Sequence, residues 1–186
     1  MQLFAHPGIT LGAAAIMAGT VNHQRSPAGW FVALSRYLDI RWLAIGSLLP
    51  DIIDKPIGQV FFRDTFNNGR IFSHSLLFFV VIAIAGMVLF KKAHRTWLLA
   101  LAAGTFTHLI LDEMWQVPQT LFWPFMGFTF PVAEIEGWLR TIWEWLISHP
   151  EVYIPEIVGI TVILLLVFQV IKNKKIIAFI KRGEVV

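Results

Sequence analysis

The sequence predicts an all-α integral membrane bundle of about five helices with an interfacial, tryptophan-rich segment. Three observations carry this expectation. Of the residues, 56% are hydrophobic and only 15% charged, against about a quarter charged in an ordinary soluble domain. The apolar residues gather into runs close to the roughly 20 needed to cross a bilayer. Eight tryptophans, several beside those runs, suit the membrane–water interface. No internal repeat or low-complexity linker divides the 186 residues, so a single unit over 1–186 is expected. Cysteine is absent, which excludes disulfides and thiolate metal ligands.

Each helix has its own justification. Segments 7–21 (PGITLGAAAIMAGTV) and 42–53 (WLAIGSLLPDII) are short but rich in Gly and Ala, as close packing in a bundle requires. Segment 71–90 (IFSHSLLFFVVIAIAGMVLF) is long enough to span. Segment 96–111 (TWLLALAAGTFTHLIL) spans if Asp112 lies at the surface. The last run is 157–171 (IVGITVILLLVFQVI), extendable back towards Ile154. Between them, 113–153 carries Trp115, Trp123, Trp138, Trp143 and Trp145 and is broken by Pro118, Pro124 and Pro131. It reads as loops and short amphipathic helices forming an interfacial lid. MQLFAHPG has no basic stretch before its first apolar run, so no cleavable signal peptide is expected.

Charge placement orients the bundle. If the five helices alternate and the KKAHR turn (91–95) is cytoplasmic, eleven of the 15 Lys and Arg lie inside. Only Lys55, Arg63, Arg70 and Arg140 lie outside. The expected protein therefore sits in the cell membrane with its N-terminus out and its C-terminus cytoplasmic. The basic C-terminus (KNKK, then KR) fits an orientation signal with affinity for anionic membrane lipids. It does not form a nucleic-acid patch, and no nucleic-acid partner is expected. His23, His94 and His149 read as surface residues. Nothing in the sequence sets the oligomeric state.

The same topology collects the ionisable residues. His6 begins the first helix, Asp51 and Asp54 end the second, His74 begins the third, and His108 with Asp112 ends the fourth. All six fall at one, extracytoplasmic, end. His108 and Asp112 are four apart and so share a helix face. Buried carboxylates and imidazoles persist where they pair, bind an ion or do chemistry, and Asp with His is a usual ligand set for a catalytic divalent metal. Each residue alone also has a bland reading, as a solvated carboxylate, a helix cap or an oriented imidazole. Their convergence from four regions favours a metal site. Asp51, His74, His108 and Asp112 are the first ligands expected, with His6 and Asp54 next. Such mixed donors accept Zn, Mn or Fe, one ion or two. Arg70 has the fork to bind a substrate phosphate. Glu113 is a candidate general base, although adjacent helix positions point about 100° apart.

These residues resemble a known family. An early histidine (His6), the block Gly46-x-Leu48-x-Pro50-Asp51-x-x-Asp54, the block Arg70-x-x-Ser73-His74-Ser75, the block Gly104-x-x-x-His108-Leu109-x-x-Asp112 and the pair Trp123-Pro124 are similar, in order and spacing, to membrane-bound metal-dependent hydrolases of the YdjM-like, LexA-regulated inner-membrane group. The likeness runs over about residues 6–125. It departs at Gly69 and Ile71, where many members carry histidine and glycine. The resemblance implies hydrolysis (a class 3 enzyme), with zinc-dependent phosphoesterases as the nearest chemistry. No H-E-x-x-H, G-x-S-x-G or phosphate-binding glycine loop is present to support another hydrolase class. Two other readings stay open: a non-enzymatic membrane protein conducting protons or metal ions through its Asp and His residues, and a scaffold in which a metal only joins helices.

Overall fold

The computed structural model describes residues 3–24, 26–132, 144 and 147–185. Among them the secondary structure is helical, with no strand. The main elements are α1 (Ala5–Val21), α2 (Pro27–Tyr37), α3 (Ile40–Gly46), α4 (Leu49–Lys55), α5 (Arg63–Phe66), α6 (Leu76–Ala93), α7 (Trp97–Leu111), α8 (Pro118–Leu121), α9 (Pro150–Lys172) and α10 (Ile176–Arg182). A π-helical turn, Pro56–Phe61, continues α4.

Two helix crossings without side chains hold the bundle together. In α1 and α9, a Cβ on Gly8 would stand 2.2 Å from the Gly159 carbonyl oxygen. In α3 and α7, a Cβ on Gly46 would stand 2.2 Å from Leu101 O, and one on Gly104 would stand 2.3 Å from Leu43 O. Backbones approach this closely only where glycine removes the side chain. α1 also packs on α2, and α6 packs on α7. The apolar core unites α1, α2, α3, α7 and α9 through Leu11, Ala15, Phe31, Leu34, Ile40, Leu43, Ala100, Leu166 and Val170, joined by Val185 from the C-terminal tail. Glu156 of α9, itself buried, accepts the Phe4 N–H at 2.8 Å and the Ala5 N–H at 3.2 Å, which ties the start of α1 to that of α9.

Among the described residues only α6 and α9 are long and apolar enough to cross a membrane; α1 and α7 are shorter apolar helices. α6 is not the core helix of a soluble protein, because only 6% of its apolar window is buried. The expected helix over 42–53 is broken at Ser47–Leu48 into α3 and α4. Proline explains this: Pro50 has no N–H to return to the Gly46 carbonyl, and the Thr105 hydroxyl donates to that oxygen instead at 3.3 Å. The expected helix over 71–90 starts later, at Leu76, with the Ser75 hydroxyl capping the Phe78 N–H at 3.2 Å. His74 therefore lies in the preceding loop. α2 and α10 are additional. α2 is a short helix that starts where Ser26 accepts from the Gly29 N–H and Pro27 opens the first turn.

Of the expected lid, residues 113–132 fold as turns around α8. They close on the loop before α6: Asn68 Nδ2 donates to Pro131 O at 2.6 Å, and Trp123 packs edge-on to Phe72 with ring centres 5.1 Å apart. Trp115 is exposed. Trp138, Arg140, Trp143 and Trp145 lie outside the described residues.

Candidate metal centre

The centre is built around Asp54, which is fully buried. Its carboxylate accepts the backbone N–H groups of Ile71 (2.8 Å), Ser73 (3.1 Å) and His74 (3.2 Å). It also accepts the ring N–H of His74 at Nδ1, at 2.7 Å. A loop wound round one carboxylate in this way has little freedom, and the Ser73 hydroxyl pins it further by donating to Pro50 O at 3.1 Å. The consequence is local: the His74 ring is held in one orientation with Nε2 pointing away from Asp54.

His108, on the inner face of α7, is held by different means to the same end. Its Nδ1 lies 2.6 Å from the Ser47 carbonyl oxygen, at the break between α3 and α4. An oxygen acceptor at Nδ1 fixes a proton there on both rings, so each imidazole, when neutral, presents an Nε2 lone pair. Those two nitrogens are 3.2 Å apart. Two lone pairs at that distance repel unless a proton or a cation sits between them.

Two carboxylate oxygens complete the group. Asp51 Oδ1 lies 3.5 Å from His74 Nε2 and 3.9 Å from His108 Nε2; Asp112 Oδ2 lies 3.7 and 3.8 Å from the same atoms. One ligand atom from each of Asp51, His74, His108 and Asp112 falls within 4.8 Å of the others, a group able to hold a metal ion. Asp51 Oδ1 is buried and has no hydrogen-bond partner. An orphaned carboxylate oxygen beside two imidazole lone pairs fits a divalent cation, which would satisfy all three.

Charged groups surround this core. His6 Nε2 lies 3.1 Å from Asp112 Oδ1, and its ring lies 4.4 Å from that of His108. Arg70 Nε pairs with Asp112 Oδ2 at 2.8 Å while the side chain stays 41% exposed. Lys55 pairs with Asp51 Oδ2 one turn away on α4. Burial alone would raise the Asp51 pKa, but the facing His74 and the Lys55 ammonium outweigh it and hold the group well below the carboxylate range. Burial likewise opposes a charge on His74, yet Asp112, Asp51 and Asp54 together push it up to about 10.

The six residues expected as ligands thus meet at one end of the molecule, where α1, α6 and α9 start and α4 and α7 finish. Four of them face one point. Asp54 stands behind His74 and His6 beside Asp112, each holding a member of the group rather than facing the shared point. Arg70 is at the rim, paired with Asp112. Glu113 is not brought to the group: it is exposed, in a left-handed turn, and accepts from Gln116. Sequence reasoning missed the Ser47 carbonyl and Lys55. The first had a signal in the Gly-Ser step three residues before Pro50; the second had one in its i,i+4 spacing from Asp51.

A family model described as YdjM inner membrane protein matches residues 1–176. No curated protein and no solved structure matches the chain.

Proposed function

This chain belongs to the YdjM inner membrane protein family, and from that premise we propose that it is a five-helix integral membrane metal-dependent hydrolase. We assign it phosphoester chemistry on a membrane lipid at the extracytoplasmic face. The observation that carries this is the convergence of two imidazole lone pairs with the unpartnered oxygen of Asp51. The ligand set assigned is Asp51, His74, His108 and Asp112; His6 and Asp54 position it. A divalent ion bound there would polarise a phosphoryl oxygen and lower the pKa of a bound water to about 7.

The chain's own groups do the rest. Arg70 keeps its Nε on Asp112 and has an exposed guanidinium to bind an anionic oxygen. Exposed apolar side chains at the same end (Ile52, Phe61, Phe62, Phe125 and Phe128) suit the headgroup boundary and support a lipid substrate. Zn, Mn and Fe all fit the donors. The ion-conducting reading predicts polar groups through the full depth. The core beyond the centre is instead mostly apolar, from Leu11 and Leu43 to Leu166 and Val170, with Thr10 and Gln169 among its few buried polar side chains and no carboxylate or imidazole of its own among the residues named, which supports a one-sided site.

The test is elemental analysis of detergent-purified protein, wild type beside His108→Ala, followed by a phosphoester screen with and without chelator. Stoichiometric metal lost in the variant, with chelator-sensitive hydrolysis, is expected. Hydrolysis that survives saturating chelator overturns the metal mechanism, and a wild type that cannot be loaded overturns the centre.

A further inference from the structure

The two carboxylates of the centre are used in the same way. Asp51 turns Oδ1 to the shared point and gives Oδ2 to the Lys55 ammonium; Asp112 turns Oδ2 to the shared point, gives Oδ1 to His6, and shares Oδ2 with Arg70. A two-ion hydrolase needs a carboxylate whose second oxygen is free to reach the second ion, with further donors about 3.5–4 Å beyond the first ion. Here that second oxygen already faces a cation or a ring nitrogen on each side.

Among the described residues the surroundings supply one further donor, the His6 ring, which already faces Asp112 Oδ1 at 3.1 Å, so a second ion there would have only two protein ligands. Beyond Asp51 lies Lys55, with a side chain only 16% exposed. Gly69 comes next to it and contributes no side chain; a Cβ there would stand 3.0 Å from Lys55 Cγ and 2.8 Å from Gln59 Nε2. The charges agree with the geometry. Asp51, Asp54 and Asp112 contribute three negative charges, and Lys55 and Arg70 return two positive ones. One divalent ion leaves the centre near neutrality, whereas two would leave several uncompensated positive charges in a largely buried place.

Resting on the proposed metal-centre reading, we infer that the centre takes one divalent ion only. The Lys55 ammonium stands where a second ion would have to engage Asp51, His6 holds the outer oxygen of Asp112, and the Arg70 guanidinium adds its charge to the inner one. Arg70, the more exposed of the two, supplies the second positive charge towards an anionic substrate. Lys55 holds Asp51 with a single oxygen turned inwards and is a positioning residue.

Manganese is the probe that tests this. Detergent-purified full-length protein is loaded with Mn2+, freed of excess, and read by elemental analysis and electron paramagnetic resonance. One Mn per chain with an uncoupled six-line spectrum is the expected result. Two per chain with an exchange-coupled spectrum overturns the inference and leaves the metal centre standing. No retained Mn at any loading concentration overturns both. Lys55→Asp turns the blocking cation into a further ligand and should admit a second, coupled equivalent, while Lys55→Arg should stay at one. A Lys55→Asp protein that still binds one ion removes Lys55 from the account.

Discussion

Helices α6 and α7 are neighbours in the chain, both apolar, and packed against each other, yet they bury very different amounts of themselves. Gly86 is the one fully buried residue of α6, whereas Leu77, Val80, Val81, Ile84, Met87 and Val88 are exposed. α7 buries Ala100, Leu101, Ala102, Gly104, Thr105, His108 and Leu109. Hydropathy does not separate the two. Glycine, threonine and histidine on one face of α7 do: they mark backbone contact, satisfied hydroxyls and a held imidazole. α6 is apolar because of what surrounds the protein; α7 is apolar around a built interior.

Metal affinity puts the two helices on one scale. The largest effect belongs to the facing imidazoles. His108→Ala or His74→Ala removes one of four ligand atoms and should weaken binding by more than about 100-fold, read by equilibrium titration with a competing chelator. A loss of less than about threefold in both would mean that the ion sits elsewhere.

Next in size is Asp54, which faces the ring of His74 from behind. Asp54→Ala leaves the N–H groups of Ile71, Ser73 and His74 unmatched and should destabilise the fold by about 3 kcal/mol. Because it also frees the His74 ring, affinity should fall about 10–100-fold. Asp54→Asn keeps acceptor capacity and should recover part of both losses. Stability measured by thermal unfolding in detergent and affinity measured by titration should therefore move together at Asp54. At His108 affinity should move more than stability.

This division of labour shows how far the sequence carries. The candidate ligand group was legible as a cluster because His108 and Asp112 share a helix face and because alternating helices bring the ends of α4 and α7 together. The sequence ranks Asp51 ahead of Asp54, but the physical cause of their difference was not readable, since both precede the loop at nearly equal reach. The separation depends on residues 71–74 turning their N–H groups onto one carboxylate, a tertiary event with no period in the sequence. The break in the helix over 42–53 belongs to the same class. Pro50 announced it, but that the freed chain would offer Ser47 O to His108 followed only from the α3–α7 crossing at Gly46 and Gly104. α2 went unseen because a helix of eleven residues with Gly, Ser and Arg has no long apolar run, although Ser26-Pro27 is a fair start signal.

A smaller, graded effect follows from protons. Without metal, His74 is protonated below about 10 because three carboxylates face it. Ligation needs its Nε2 lone pair, so each bound ion must expel that proton. Affinity should therefore rise with pH, by about tenfold per unit, through the range from 6 to 9, with about one proton released per ion. Isothermal titration in two buffers of different ionisation enthalpy measures the proton count. A count of zero across that range would show that His74 is not a ligand or is already neutral.

The smallest effect on the centre should come from α6. Ile84 is at the middle of that helix and 54% exposed in the fold. Ile84→Leu keeps an apolar surface and should leave affinity unchanged within about twofold, despite lying one helix away from α7. Ile84→Lys separates two environments for the same exposed face. Facing water, a lysine there is harmless. Facing the bilayer centre, it opposes insertion by about 3 kcal/mol, so the membrane-retained fraction should drop after an alkaline wash while the protein that does insert binds metal as the wild type does. A lysine variant found in full as washed-off, detergent-free, metal-competent protein would place α6 in water and take the membrane reading of this face with it. Loss of metal binding in the inserted fraction would instead mean that α6 is coupled to the centre through α7, contrary to the exposure that separates them.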